Sequence, residues 1–199
     1  MKLFRVESSE HHLTIGSKIK SSGHYRKYLQ EANDDKAKLL TIIEDSLDAT
    51  NNIGGFIRRD CLFAFGELKD ALIFSANIYR GNAQIYGVSA SWGSILHKGD
   101  MNLLDLLAMS VENNNGEDCI KMLKVYCVKY WDKMSRTHSP CFEYLLKDAN
   151  VEKLICTVKD CQRFYKEYKE CQCGYLSLST EQTNVYVSKI NEVYGYTSL

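Results

Sequence analysis

Short apolar or alternating segments along the chain predict β-strands, because side chains of a strand point to opposite faces in turn. The predicted strands cover residues 2–6, 61–65, 84–92, 141–146 and 151–158. The run 61–65 is apolar throughout and is followed by Gly66, so we expect a buried strand there. The polar segment 13–23 contains two glycines and predicts a loop or a short extended stretch, and residues 148–150 predict a turn.

Other segments repeat their apolar residues every three to four positions, which is typical of amphipathic helices. This spacing predicts helices over residues 34–51, 67–79, 101–112 and 117–135, and two more near the C-terminus over 160–174 and 179–195. Gly54 and Gly55 follow the first helix and Gly174 ends the fifth, and Ser179 begins a sequence with capping-box spacing. The chain therefore mixes helices and strands joined by short connections.

Composition narrows the classes of protein that the chain can belong to. Its 199 residues fit one domain, and 45% hydrophobic residues are enough for a core, which excludes disorder as the main state. Lys and Arg together number 25, and Asp and Glu together also number 25, so the formal net charge is zero. No global positive field therefore attracts nucleic acid or anionic membrane. We find no apolar run of membrane-spanning length and no signal peptide, and we expect a cytoplasmic protein without membrane association.

Eight cysteines are present, and in a cytoplasmic protein we expect them to be thiols. No CxxC pair occurs, although such pairs are common in tetrahedral zinc sites. A zinc site built from Cys156, Cys161, Cys171 and Cys173 remains an alternative, but buried thiols acting as small hydrophobic residues are favoured. His11 and His12 form a pair without a suitably spaced partner, so we expect no metal there either.

Three features differ from an ordinary core, although no nucleotide-binding loop or hydrolase motif is present. Arg5 is a charge in the first predicted strand. The strand ending in Phe63, Ala64 and Phe65 leads directly into a helix. Glu143 lies in an apolar setting, where an unpaired carboxylate costs several kcal/mol, so it is paired, exposed or functional.

In this order the features resemble the ADP-ribosyltransferase family. The family has a basic residue on its first strand, here Arg5 within residues 3–6. Its central strand is followed by a helix and another strand, here residues 61–65, the helix carrying Ala71 and Phe74, and residues 84–88. Its late strand begins with a catalytic glutamate, here Glu143, and a turn and an apolar strand follow. Small bacterial proteins with an arginine before a Phe-Ala-Phe strand are similar over residues 59–65.

The resemblance implies an α+β fold with a split β-sheet core and flanking helices over residues 1–158. Residues 159–199 would form a C-terminal helical extension packed on the same domain, where it covers the sheet or binds a partner. The implied activity is mono-ADP-ribosyl transfer from NAD, which serves as substrate, to a macromolecular acceptor. A toxin or effector with an antitoxin or other inhibitory protein partner fits this description.

The family resemblance also implies the site. Arg5 would hold a phosphate or ribose oxygen, and Glu143 would bind the ribose 2′-hydroxyl and stabilise the oxocarbenium-like transition state. The NAD-binding set is expected to consist of Arg5, Tyr28, Arg59, Phe63 and Phe65. Arginine-specific members carry a second glutamate two positions before the catalytic one, where this chain has Cys141. We therefore expect the acceptor to be RNA, DNA or a protein side chain other than arginine.

Other interpretations of the same residues stay open. Arg5 is otherwise an edge-strand charge with a surface carboxylate partner, and Glu143 a carboxylate at the rim of an edge strand. A second functional hypothesis is a catalytically inactive binding module that contacts a protein partner through the tyrosine-rich tail. Arg58 and Arg59 either flank a strand as solubilising charges or bind a phosphate group. A zinc-dependent RNA-binding protein using the late cysteines is a third hypothesis.

Overall fold

The protein is described here by a computed structural model that covers residues 1–31, 35–104, 117–132, 136–138 and 140–171. These residues include seven β-strands and five α-helices, which makes the fold α+β. The strands are β1 (Lys2–Ser8), β2 (Lys18–Lys20), β3 (Leu62–Phe65), β4 (Ala83–Ser89), β5 (Ile95–Asp100), β6 (Phe142–Leu146) and β7 (Asp148–Cys156). The helices are α1 (His24–Glu31), α2 (Asp35–Thr50), α3 (Leu68–Tyr79), α4 (Glu117–Trp131) and α5 (Val158–Cys171). Two 3-10 turns cover Arg58–Asp60 and Trp92–Ser94.

The strands form a sheet with the hydrogen-bonded order β2-β7-β4-β1-β3-β6-β5. The pairs β1–β3, β1–β4, β4–β7 and β5–β6 are antiparallel. β6 and β7 are separated along the chain by Lys147 alone, but they pair with different neighbours. Strands β4 and β5, which are joined through the second 3-10 turn, also pair with different neighbours.

Contacts within the chain define two compact units. The first contains Met1–Lys18, Ala64–Ala90 and Asn150–Leu199, of which the part up to residue 171 is described. The second contains Ile19–Phe63 and Ser91–Ala149. Strand β3 belongs to both units, since its first two residues fall in the second and its last two in the first.

The first unit is a sheet covered by helices. Strand β1 pairs with β4 along its whole length, from Lys2 opposite Ser89 to Ser8 opposite Ala83. Helix α3 packs against β1 and α5, and α5 also contacts β4. At Gly81 the chain passes close to α5, and an added Cβ would lie 2.9 Å from the carbonyl oxygen of Cys161. Only a residue without a side chain allows this approach.

The second unit has its core between α2, α4 and β5. Leu47, Tyr130, Trp131 and Leu145 are buried there to 2% exposure or less. The indole nitrogen of Trp131 donates a hydrogen bond of 2.8 Å to the carbonyl oxygen of Leu47 and so ties α4 to the end of α2. This helix pair forms one wall of the site described below.

Most of the predicted elements that fall on described residues are confirmed. The strands at 2–6, 61–65, 84–92, 141–146 and 151–158 correspond to β1, β3, β4, β6 and β7. The helices at 34–51, 67–79, 117–135 and 160–174 correspond to α2, α3, α4 and α5. The predicted turn at 148–150 is wrong, because these residues begin β7. Helix α1 and strand β5 were not predicted. Most of the predicted helix 101–112 and the whole of 179–195 lie outside the described residues.

In the described ranges, none of the helices combines the length and apolar character that crossing a membrane requires.

Candidate functional site

A group of charged and aromatic side chains lies inside the second unit, and six elements contribute one residue each. We call it the Arg58 cluster. Its members are Tyr25 of α1, Glu44 of α2, Arg58 of the first 3-10 turn, Phe63 of β3, Tyr130 of α4 and Glu143 of β6.

Glu143 is held on both of its carboxylate oxygens. The Arg58 Nη2 donates hydrogen bonds of 2.8 Å to Oε1 and 2.9 Å to Oε2, and Nε donates one of 3.0 Å to Oε1. The Tyr130 hydroxyl donates a further hydrogen bond to Oε1. Only 1% of Glu143 is exposed, so the orientation of this carboxylate is set by its neighbours rather than by water.

Glu44 shares the same guanidinium. Its Oε1 accepts hydrogen bonds from Arg58 Nη1 and, at 2.9 Å, from the Tyr25 hydroxyl, while the buried Oε2 has no hydrogen-bond partner. Burial raises the pKa of Glu44 above its usual range, and the opposing effect of Arg58 does not cancel this increase. Two carboxylates thus share one cation in a site with little access to water.

Aromatic rings surround the guanidinium. The Arg58 Cζ lies 4.8 Å from the ring centre of Phe63 and 5.7 Å from that of Tyr130. Tyr25 contacts Phe63 edge to face at 5.7 Å between ring centres. The two distances from Arg58 are within the range of cation–π attraction, which is strongest when the cation is desolvated.

The buried groups alter each other's protonation. Burial works to lower the pKa of Arg58, but Glu143 and Glu44 hold it well above its usual range, so the guanidinium stays charged. Burial, with the carboxylate of Glu143, raises the pKa of Tyr130 well above its usual value. Burial and Glu44 likewise raise the pKa of Tyr25. Both phenols are therefore neutral hydrogen-bond donors to carboxylates.

Gly99 makes the approach of Tyr130 to Glu143 possible. It lies opposite Glu143 in the register of β5 and β6. A Cβ at position 99 would overlap the Tyr130 ring. The backbone carbonyl of Tyr130 also accepts a 2.9 Å hydrogen bond from His97 Nε2 of the same strand. Strand β5 thus fixes both the ring and the backbone of Tyr130.

Asp100 fixes the segment that leads into β6. Its Oδ1 accepts a 2.9 Å hydrogen bond from the backbone NH of Cys141, and its Oδ2 accepts bonds of 2.7 Å from both the NH and the hydroxyl of Thr137. Asp100 is 1% exposed. Because Glu143 follows two residues after Cys141, this clamp positions the start of the strand that carries Glu143.

The residues predicted from the sequence are divided between the two units. Arg5 and Phe65 belong to the first unit and Tyr28, Arg59, Phe63 and Glu143 to the second. Arg5 Nε donates a 2.7 Å hydrogen bond to Glu7 two residues along β1. Phe65 is 1% exposed and packs against Phe74 of α3, with 5.0 Å between ring centres.

Within the second unit, the Arg58 cluster brings together Phe63 and Glu143. Arg59 instead pairs with two carboxylates of α2, Asp45 at 2.7 Å and Asp48, whose contact with Arg59 Nε is 3.1 Å. Tyr28 is 37% exposed on α1. Phe63 and Glu143 are therefore the two predicted residues for which the structure provides a shared environment.

Nothing in the sequence pattern predicted that Arg58, Glu44, Tyr25 and Tyr130 share one site. A signal for Glu44 was present, because it falls four residues after Leu40 and three before Leu47 on the apolar face of α2. A charge in that position needs a buried partner. Arg58 was considered only as a strand-flanking charge or a phosphate ligand.

Comparison of the chain with models of known protein families gives no match, and comparison with curated proteins gives none either. In the described ranges, no three side chains of His, Cys, Asp or Glu are placed to hold a metal ion.

Proposed function

We propose that the protein is a mono-ADP-ribosyltransferase whose functional centre is the Arg58 cluster, with Glu143 as the residue that acts on NAD. The single observation that supports this proposal is the retention of three charged side chains, Glu44, Arg58 and Glu143, in the core of the second unit. Replacing a buried ion pair by apolar residues of similar volume is often neutral or stabilising, so a gain in stability does not by itself account for these charges. Titratable groups whose pKa is shifted by burial and by a charged partner are concentrated at functional sites.

The proposed chemistry needs a fixed anion beside the reacting ribose. The bond between ribose C1′ and the nicotinamide nitrogen breaks, nicotinamide leaves with the electron pair, and positive charge develops on the ribose. Glu143 accepts a hydrogen bond from the 2′-hydroxyl and stabilises that charge, after which a nucleophile of the acceptor attacks C1′ and loses its proton. In the free protein, Arg58 and Tyr130 fix the orientation of this carboxylate.

The acceptor in this proposal is RNA, DNA or a protein side chain other than arginine, and an antitoxin or other inhibitory partner fits a cytoplasmic transferase of this kind. Arg5 keeps its proposed role as a phosphate or ribose ligand. In the free protein its partner is Glu7, which a ligand phosphate would have to replace.

Labelled NAD tests the proposal on cell-lysate protein and on RNA and DNA. We expect Glu143→Gln to reduce labelling at least about 100-fold, because an amide keeps the hydrogen-bonding shape but carries no negative charge. Glu152→Gln, which changes an exposed carboxylate on β7, is the matched control and should label like wild type. Thermal unfolding of each variant shows that it is folded. Equal labelling by wild type and Glu143→Gln contradicts the proposal.

One observation favours a second function, a catalytically inactive binding module. Both oxygens of Glu143 are already bound and only 1% of the residue is exposed, which is what a purely structural ion pair requires. NAD separates the two functions. A ligand at about 100 times its Kd adds about 2.7 kcal/mol to the free energy of unfolding. Absence of any stabilisation by NAD, together with absence of labelling, supports the binding module.

A further inference from the structure

We propose that the Arg58 side chain occupies a subsite for a planar organic cation, and that this subsite takes the nicotinamide riboside end of NAD. The identity of the ligand rests on the function proposed above, whereas the existence of the subsite does not. In this interpretation the described conformation is closed, and the chain's own guanidinium takes the place of the ligand.

The surroundings of Arg58 have the features of a cation-binding cage. A planar guanidinium lies between aromatic rings, with Phe63 at 4.8 Å and Tyr130 at 5.7 Å from Cζ. Its nitrogens meet the carboxylates of Glu143 and Glu44. Aromatic faces and carboxylates together recognise flat, delocalised cations in general, and the nicotinamide ring of NAD is such a cation.

The cage has more hydrogen-bond acceptors than Arg58 uses. Two carboxylates meet one guanidinium, and Glu44 Oε2 is buried without a hydrogen-bond partner. A ligand that carries hydroxyl or amide donors beside its cationic ring can satisfy this oxygen, as the ribose hydroxyls and the carboxamide of nicotinamide riboside can. An unsatisfied buried acceptor is destabilising, and a donor that binds there removes this cost.

In the proposed open state, the guanidinium withdraws toward the surface. Tyr25 and Phe63 are the two cluster members that are partly exposed, and they mark the side of the cage nearest to solvent. Arg58 follows directly after Ile57, which is 40% exposed, so the backbone that carries it runs near the surface. Withdrawal of one side chain would therefore open the cage without unfolding the strands around it.

Displacement has a measurable consequence. If a ligand must replace the guanidinium, its apparent affinity for wild type is reduced by the fraction of molecules in which the cage is open. Removing the guanidinium should raise that affinity. Arg58→Ala alone would leave two buried carboxylates without a cation, which is strongly destabilising. The variant Glu44→Gln/Arg58→Ala removes one charge of each sign and leaves Glu143 beside an empty cage.

Methylguanidinium is the first probe, and calorimetry and thermal unfolding are the readouts. We expect it to bind and stabilise Glu44→Gln/Arg58→Ala but not wild type, whose cage is filled. Methylammonium, which has the same charge but is not planar, should have little effect. Lys27→Ala/Glu31→Gln breaks an exposed ion pair of α1 and likewise removes one charge of each sign, so it is the matched control, which should respond like wild type.

Nicotinamide mononucleotide is the second probe. We expect Glu44→Gln/Arg58→Ala to bind it at least about tenfold more tightly than wild type does, because no side chain has to be displaced. Methylguanidinium should compete with it. If the double variant does not fold alone, folding with methylguanidinium but not with methylammonium supports the cage.

Three results overturn the inference. The first is that methylguanidinium binds wild type or the control variant as well as it binds the double variant. The second is that neither cation restores the fold of an unfolded double variant. The third is that the double variant binds methylguanidinium but does not bind nicotinamide mononucleotide more tightly than wild type does. NAD labelling distinguishes these from failure of the proposed function. Glu143-dependent labelling by wild type without tighter mononucleotide binding rejects the subsite alone, whereas tight binding without any labelling rejects the transferase activity alone.

Discussion

A single residue, Glu44, explains why the second unit has an unusual core. It occupies a buried position on α2, among residues of the apolar face, and it is 1% exposed. Its partners come from separate elements, the hydroxyl of Tyr25 and the guanidinium of Arg58. The charge of Glu44 is therefore tolerated only because the fold brings these donors to it.

The protonation of Glu44 should couple stability to pH. Since its pKa is raised in the folded protein, the folded state holds the proton more tightly than the unfolded chain. The free energy of unfolding should then fall as the pH rises from the unfolded-state pKa, about 4.3, through the raised folded-state pKa. Below the unfolded-state pKa both states hold the proton, so this contribution to the free energy of unfolding is fully present and no longer changes with pH.

Urea unfolding of wild type and Glu44→Gln across this pH range measures the effect. The stability of wild type relative to the variant should decrease with rising pH, because glutamine does not titrate. Asp45→Asn, whose side chain is 62% exposed on the same helix, is the control and should not remove the slope. A difference between wild type and Glu44→Gln that is constant or increases with pH would contradict the raised pKa.

Gly99→Ala should displace the Tyr130 ring, because the new methyl group would overlap it. We expect a loss of roughly 1–3 kcal/mol in the free energy of unfolding, the usual range for overpacking. Chemical denaturation measures it. Gly93→Ala is a suitable control, since nothing lies within 4 Å of a Cβ at that position. Equal stability of the two variants would show that the Tyr130 ring moves aside at little cost.

At the scale of elements, the apolar pattern of the sequence predicted the helices and strands whose buried faces are made of apolar residues. Helix α3 and strand β3 carry enough apolar residues to define their period, and both were predicted near their observed bounds. Helix α1 was not predicted because it is only eight residues long and mostly polar, with Leu29 as its buried residue. It contacts α2 and the first 3-10 turn.

A different reason explains why strand β5 was not predicted. Three polar residues, His97, Lys98 and Asp100, interrupt its sequence, and Gly99 is a poor strand former. His97 and Asp100 are buried because each finds hydrogen-bond partners on distant segments. The same reasoning explains why the Arg58 cluster was found only in part, since a buried charge is recognised by partners that are far away in the sequence.

The contact between α3 and α5 can be tested at Gly81. This residue has a φ of +79°, and a Cβ there would lie 2.8 Å from Cβ of Tyr165. Gly81→Ala should lower the free energy of unfolding by roughly 2–4 kcal/mol, the sum of backbone strain and overpacking. Gly16→Ala, with a φ of +84° and nothing within 4 Å, should show the strain of about 1 kcal/mol alone. Thermal unfolding that ranks both variants equally would contradict the close approach.

At the scale of the molecule, the formal charge of zero means that a nucleic-acid acceptor would have to be recognised by local groups. The α+β class is confirmed, while the fold family, the NAD site and the acceptor stay predictions. Arg5 and Glu143 belong to different units, and their predicted convergence on one ligand stays a prediction as well.

The division of β3 between the two units limits how the protein can be dissected. Each unit is assembled from separate stretches of chain, and the polypeptide passes from one to the other four times, at residues 18/19, 63/64, 90/91 and 149/150. A single cut anywhere in the sequence therefore leaves at least one unit missing a part of itself. Genetic truncation is consequently unsuited to assigning activities to halves of this molecule, and point substitutions in the intact polypeptide are the appropriate tool.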